Sequence, residues 1–133
     1  MLGLYVKELV KHYEINASIE KVWKAFTVPQ EIDAWGGGPA VMDDKVGTQF
    51  KLWDGDIHGT NTEIELCKKI VQEWYSGDWP EPSIAEFTFS QKNGKTIIDL
   101  LHKNIPDMKT EEIDKGWDEY YLGPLKKLAE EQL

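Results

Sequence analysis

A chain of 133 residues is long enough for one domain with its own core, and 41% hydrophobic with 11% aromatic residues sets it apart from disordered sequences. Its net charge is −9, and every one of its 15 basic residues is lysine, so the bidentate guanidinium fork that suits phosphate backbones and base edges is missing. That balance argues against nucleic acid and against anionic membrane surfaces as partners.

The segment MLGLYVKELVKHYE at the start carries charge every few residues, unlike a signal peptide or a membrane span. A lone cysteine, Cys67, excludes an intrachain disulfide and suits a reducing compartment, so the expected location is cytoplasmic. No repeat or linker divides the chain, and residues 1–133 are expected to form a single domain.

Leu4 to Ile15 mixes Val, Leu, Tyr and Ile with Lys and Glu in rough alternation and predicts a long strand. Ser18 then offers an N-cap, and Ile19, Val22, Trp23 and Phe26 fall on one helical face. Pro29 suits the first turn of a second short helix with Ile32 and Trp35 on its buried side, ended by Gly36-Gly37-Gly38-Pro39. From Ala40 to Lys103 the period changes to two. Gln49 to Trp53 and Ile57 to Leu66 flank an Asp54-Gly55-Asp56 turn, and Ile70 to Tyr75 follows. After Trp79-Pro80-Glu81-Pro82 come Ile84 to Gln91 and Thr96 to Lys103, joined by Asn93-Gly94, a strong hairpin signal.

Thr110 opens the last element, with Glu111, Glu112 and Asp114 complementing a helix dipole in its first turn. Ile113, Trp117, Tyr120, Tyr121, Leu125 and Leu128 recur at helical spacing, while Pro124 within the pattern predicts a kink near Tyr120. The order predicts an α+β fold: a curved antiparallel sheet covered by a long C-terminal helix, with a pocket expected where the small helices meet the sheet.

This order resembles the helix-grip superfamily of START-like (SRPBCC) lipid-transfer domains and the birch-pollen allergen. Within it, the chain is similar to the C-terminal-type domain of activators of heat-shock-protein-90 ATPase. The resemblance rests on Val22-Trp23 through Phe26-Thr27, Gly47 to Gly55, Lys69-Ile70-Val71 with Trp74, and Trp79-Pro80-Glu81. It continues through Lys92-Asn93-Gly94, the Thr96–Ile98–Leu100–His102 alternation ending at Pro106, and Gly116-Trp117 with Tyr120-Tyr121. The activators carry a further N-terminal domain that contributes strongly to ATPase stimulation, and no such domain is expected ahead of Leu4. The resemblance implies a non-enzymatic binding domain, co-chaperone-like toward a chaperone ATPase or holding a small apolar ligand between sheet and helix.

Candidate residues follow from where the alternation points. Trp23, Phe26, Phe87 and Phe89 read as core, while Trp74, Trp117 and Tyr121 read as core or as a cavity lining. The candidate ligand wall is Phe50, Trp74, Phe87, Phe89, Leu100, His102, Trp117 and Tyr121. His102 ends the inward row Thr96, Ile98, Leu100, where it is a histidine satisfied by its neighbours or a polar contact for a ligand. An enzyme of cyclase or hydrolase type would use His102 as acid/base; Asp99 is expected on the opposite face.

Other patterns are weaker. Asp54-x-Asp56-x-His58-Gly59 with Glu65 approaches a calcium loop, but His58 stands at a ligand position and strands are expected on both flanks. The Gly36–Gly38 run lacks the Lys-Ser/Thr of a phosphate loop. His12, His58, His102 and Cys67 show no metal-ligand spacing, no Gly-x-Ser-x-Gly elbow exists, and Cys67 is expected in a strand without a nearby histidine. No catalytic set, metal or cofactor is implied. Trp79 between turns is a loop anchor or an exposed recognition residue.

Overall fold

The computed structural model describes residues 6–131, so Leu4 and Tyr5 of the expected first strand lie outside the described residues. Alternation of apolar and polar residues builds six strands: β1 (Val6–Ile15), β2 (Gln49–Leu52), β3 (Ile57–Glu65), β4 (Lys69–Ser76), β5 (Ser83–Lys92) and β6 (Lys95–Pro106). They pair antiparallel throughout, in the order β1-β6-β5-β4-β3-β2. Strands two to six form a meander, and the first strand returns to close its far edge.

Between β1 and β2 lie two short helices, α1 (Ile19–Thr27) and α2 (Pro29–Trp35). The Ser18 side chain accepts from the Lys21 amide at 3.2 Å and caps α1, a contact of about 1 kcal/mol. Its buried face carries Ile19, Val22, Trp23 and Phe26, as their spacing predicts. Phe26 meets Phe87 and Phe89 edge-on at ring centroids 5.0 Å apart, and Trp23 meets Phe89 at the same distance. Such pairs contribute about 0.5–1.5 kcal/mol each beyond their buried area.

Two irregularities were not visible as periods in the sequence. A bulge in β6 at Lys103-Asn104, with Asn104 at φ +60°, shifts the register against β1. It lets both His102 and Ile105 face inward and carries the strand to Pro106, past the expected end at Lys103. Cys67 is the second correction. It sits at φ +58° in the tight turn between β3 and β4, not in a strand, because the hairpin reverses there. Burial and the nearby Glu20 raise its thiol pKa, which removes the thiolate a nucleophile needs.

The chain ends in the expected long helix, in three parts: α3 (Thr110–Gly116), a π-helical segment (Trp117–Leu122) and α4 (Gly123–Glu131). The break expected near Tyr120 takes the form of this wide turn, while Gly123 keeps helical torsions of φ −61° and ψ −56°. A π-turn shifts the carbonyls that Pro124 would otherwise crowd. Gly123 is required here, since any Cβ would collide with the carbonyl oxygen of Asp118. The whole is an α+β helix-grip fold, with the curved sheet wrapped around the C-terminal helix. No described helix is long and apolar enough to cross a membrane.

Candidate functional site

All inward-pointing aromatic rings compete for the space between sheet and helix, and that space is filled at one end and open at the other. At the filled end, α1 packs on β5 and β6 and α4 packs on α1, α2 and β1, with Phe26, Phe87, Leu122 and Leu125 completely or nearly buried. At the open end, α3 stands over the ends of β3 and β4 and encloses a pocket of about 550 Å³. Its floor is Trp74, Trp117 and Tyr121, all buried. Trp53 and Ile57 form the wall on the sheet side, and Ile113 and Gly116 the wall on the helix side. Asp56, Glu112 and the exposed Tyr120 stand at the mouth.

Three of the eight expected wall residues therefore line the pocket: Trp74, Trp117 and Tyr121. Phe50, Phe87, Phe89, Leu100 and His102 do not. Phe87, Phe89 and Leu100 are buried in the core, where Phe26 of α1 meets Phe87 and Phe89 edge-on. Phe50 is buried at the base of a separate groove on β2–β4, beside its cross-strand partner Gly59, where any Cβ would collide with the Glu73 carbonyl. The pocket's position also differs from expectation. It opens beneath α3, and no α1 or α2 residue lines it, with Trp35 of α2 packed behind Trp53 and Tyr121.

Trp53 was missed because its backbone leaves the strand. It and Asp54 adopt φ of +49° and +56° in a 3-10 turn (Trp53–Gly55), a left-handed conformation that costs on the order of 1–2 kcal/mol in a non-glycine residue. Backbone bonds hold the turn, Trp53 N–H to Gly37 O at 2.8 Å and Asp54 N–H to Pro39 O at 3.0 Å. The indole then packs against Trp35 and Tyr121, each at 6.1 Å between ring centroids. The Asp-Gly pair that marks the turn was legible; the swing of the preceding ring into the pocket was not.

His102 lies behind the floor and is fully buried. The Trp117 indole, a donor only, gives its N–H to His102 Nδ1 at 3.0 Å. Nε2 therefore carries the proton and donates to Ser83 Oγ at 2.7 Å, while the Ser83 hydroxyl donates to the Trp74 carbonyl at 2.7 Å. Burial lowers the His102 pKa to about 3, so the ring is neutral. With one nitrogen occupied as acceptor, the other as donor, and no exposure, it has no free position from which to exchange a proton with a ligand. Asp99 points to the opposite face as expected, where it accepts from His12 at 2.6 Å.

Trp74 differs from its neighbours. Its indole N–H is buried with no hydrogen-bond partner among the described residues, a state that costs free energy. It stacks on Trp117 at 5.3 Å with 29° between planes. Burial also raises the pKa of the Tyr121 phenol, which stays protonated. The calcium-like loop resolves into the turn between β2 and β3, and among the described residues no three His, Cys, Asp or Glu side chains come together to hold a metal. Trp79 is partly buried against Trp74 at 6.1 Å and anchors the β4–β5 loop.

Comparison with known proteins adds the family. Residues 16–130 match the sequence profile described as Activator of Hsp90 ATPase homolog 1-like protein. The human Activator of 90 kDa heat shock protein ATPase homolog 1 is 31% identical over 83% of this chain and 33% of its own length. The mouse homolog 2 is 28% identical over 97% of this chain and 40% of its own. The chain thus spans between a third and two fifths of these curated relatives. Among solved structures, an HSP90 activator from Plasmodium falciparum superposes with a TM-score of 0.81 at 30% identity, covering 91% of this chain and 94% of that one.

Proposed function

We propose a binding function rather than a catalytic one for this chain, which belongs to the Activator of Hsp90 ATPase homolog 1-like family. The domain holds a small, largely apolar ligand between its C-terminal helix and its sheet. One observation carries this reading: a pocket of about 550 Å³, floored by three buried aromatic rings, remains open in an interior that is otherwise tightly filled. The size and lining fall in the range of small-molecule sites.

The test uses Nile red, a neutral apolar fluorophore, and the variant Gly116→Leu. Gly116 has helical torsions, and nothing lies within 4 Å of where its Cβ would be, so a leucine grows into the pocket without strain. Replacing a helical glycine also gains about 0.5–1 kcal/mol of stability. Saturable Nile red binding by the native chain and its loss in a stably folded Gly116→Leu protein are expected; undiminished binding in the variant rejects the pocket.

A second reading is favoured by the Plasmodium falciparum structure, whose chain is matched over 94% of its length and is described as an HSP90 activator. On that reading the domain docks on a chaperone ATPase in the cytoplasm, its charge of −9 drawing it to a basic surface. Titrating an Hsp90-class chaperone at low and moderate salt should give salt-sensitive binding; no binding and no ATPase stimulation at either salt removes this reading. Catalysis by His102 is disfavoured by its two occupied nitrogens.

A further inference from the structure

The charge around the pocket is one-sided. Of its lining side chains, five are aromatic and two are carboxylates, Asp56 from the turn before β3 and Glu112 from α3, so that the acids approach from opposite walls. No lysine or histidine lines it. Lys109 reaches Glu112 at 3.8 Å, but both side chains are more than half exposed, and such a contact contributes little and is readily exchanged. The rest of the chain reinforces the sign with a net charge of −9. An anionic ligand such as a fatty acid would enter against two carboxylates and find no counter-charge. A cation would meet attraction from the acids at the mouth and from the electron-rich rings inside.

Resting on the pocket reading above, we infer that the ligand is a hydrophobic cation, an ammonium group carried on an aryl or alkyl body. The body lies over Trp74, Trp117 and Tyr121, and the ammonium sits toward the mouth, where Trp53 and Tyr120 offer π-faces and Asp56 and Glu112 complete the counter-charge. The carboxylates stand at exposed positions of the mouth, while the aromatic floor supplies the apolar area that selects against small hydrated cations.

Three isosteric probes separate charge from shape: benzyltrimethylammonium, neutral neopentylbenzene and phenylmethanesulfonate. Binding is read from the indole N–H signals in ¹⁵N–¹H spectra, where those of Trp53, Trp74 and Trp117 should move while that of Trp23 stays. The cation should bind about tenfold more tightly than the neutral isostere, the range expected when a partly desolvated cation meets aromatic faces. The sulfonate should not bind. The double variant Asp56→Asn, Glu112→Gln, at two exposed positions and checked for an unchanged thermal midpoint, should lose most of that preference. Gly116→Leu should abolish binding of the cation and of the neutral probe. Equal binding of cation and neutral probe, binding of the sulfonate, or a preference unchanged in the double variant overturns the inference. If Nile red binds saturably and none of the three probes does, the charge class falls and the pocket stands; if Nile red fails as well, both fall.

Discussion

The two halves of the C-terminal helix do different work. In α4, Leu125 and Ala129 are buried, and α1 and α2 pack directly against it. In α3 no residue is fully buried, and its inner side faces the pocket. Between them the π-turn carries Trp117, Tyr121 and Leu122, two of them adjacent in sequence and all inward. A regular helix would not aim neighbouring residues so nearly the same way; the wider turn does, and it spreads one apolar stripe over both the pocket floor and the core. One half of the helix closes the fold, and the other leaves a space over the ends of β3 and β4.

The largest expected effect sets these halves against each other. Leu125→Ala should cost about 2–5 kcal/mol in urea unfolding, the range for a fully buried leucine whose cavity cannot collapse. Ile113→Ala, at a half-buried position beside open volume, should cost under about 1.5 kcal/mol because little close packing is lost. Equal losses would mean that α3 packs as tightly as α4 and that the pocket is closed in solution.

A second effect lies where the halves meet. His102 has a folded pKa lowered to about 3, against about 6.5 when unfolded. The unfolded chain then binds the extra proton first, so the contribution of His102 is complete above pH 6.5 and is lost as pH falls toward 3, at up to about 1.4 kcal/mol per pH unit. His12 acts in the opposite sense: its pKa is raised by the Asp99 carboxylate, so it stabilises at low pH and loses that contribution as pH rises through its folded value. Comparison with His102→Gln isolates the buried ring, because Gln keeps one donor and one acceptor for Ser83 and Trp117. The variant should be less stable at pH 7 and should flatten the slope between pH 4.5 and 6.5, as read from thermal midpoints; an unchanged slope would show that His102 is already accessible to protons.

Much of the fold was legible because it depends on short-range periods. Ser18, the spacing of Ile19 to Phe26, and Asn93-Gly94 each specify an element by local chemistry. The site was legible only where it shares that chemistry. Trp117 and Tyr121 stand on the predicted helix face, and Trp74 on the predicted inward side of its strand. Alternation shows that Phe87, Phe89, Leu100 and His102 face inward, but not which end of the interior α1 fills. That depends on docking between segments more than 60 residues apart in sequence, from Phe26 to Phe87 and beyond. Trp53 escaped for a local reason, its strained left-handed backbone, which no period reveals. Nor does any period predict that a proline's disruption will be absorbed by a π-turn ending two residues upstream.

The smallest effect asks what holds α3 in place if packing does not. The inward side of β1 beneath it carries Lys11 and Tyr13 where an apolar pair would be usual. Lys11 pairs with Asp114 and, at 2.7 Å, with Asp118, while the Tyr13 hydroxyl donates to Asp118 at 2.5 Å. Lys11 and Tyr13 hold the Asp118 carboxyl below its usual range. The anchor is thus electrostatic and lies next to the pocket, whereas α4 is held by buried area. Salt screens exposed charges within about 8–10 Å at physiological strength and within about 3 Å at 1 M, but it does not weaken apolar burial. In hydrogen exchange, 1 M salt should therefore speed the amides of α3 and leave those of α4 unchanged. Lys11→Met should do the same at low salt, with a global loss of only about 0.5–1 kcal/mol. Were α4 to loosen equally, the two halves would form one cooperative unit, and the pocket could not open without unfolding the core.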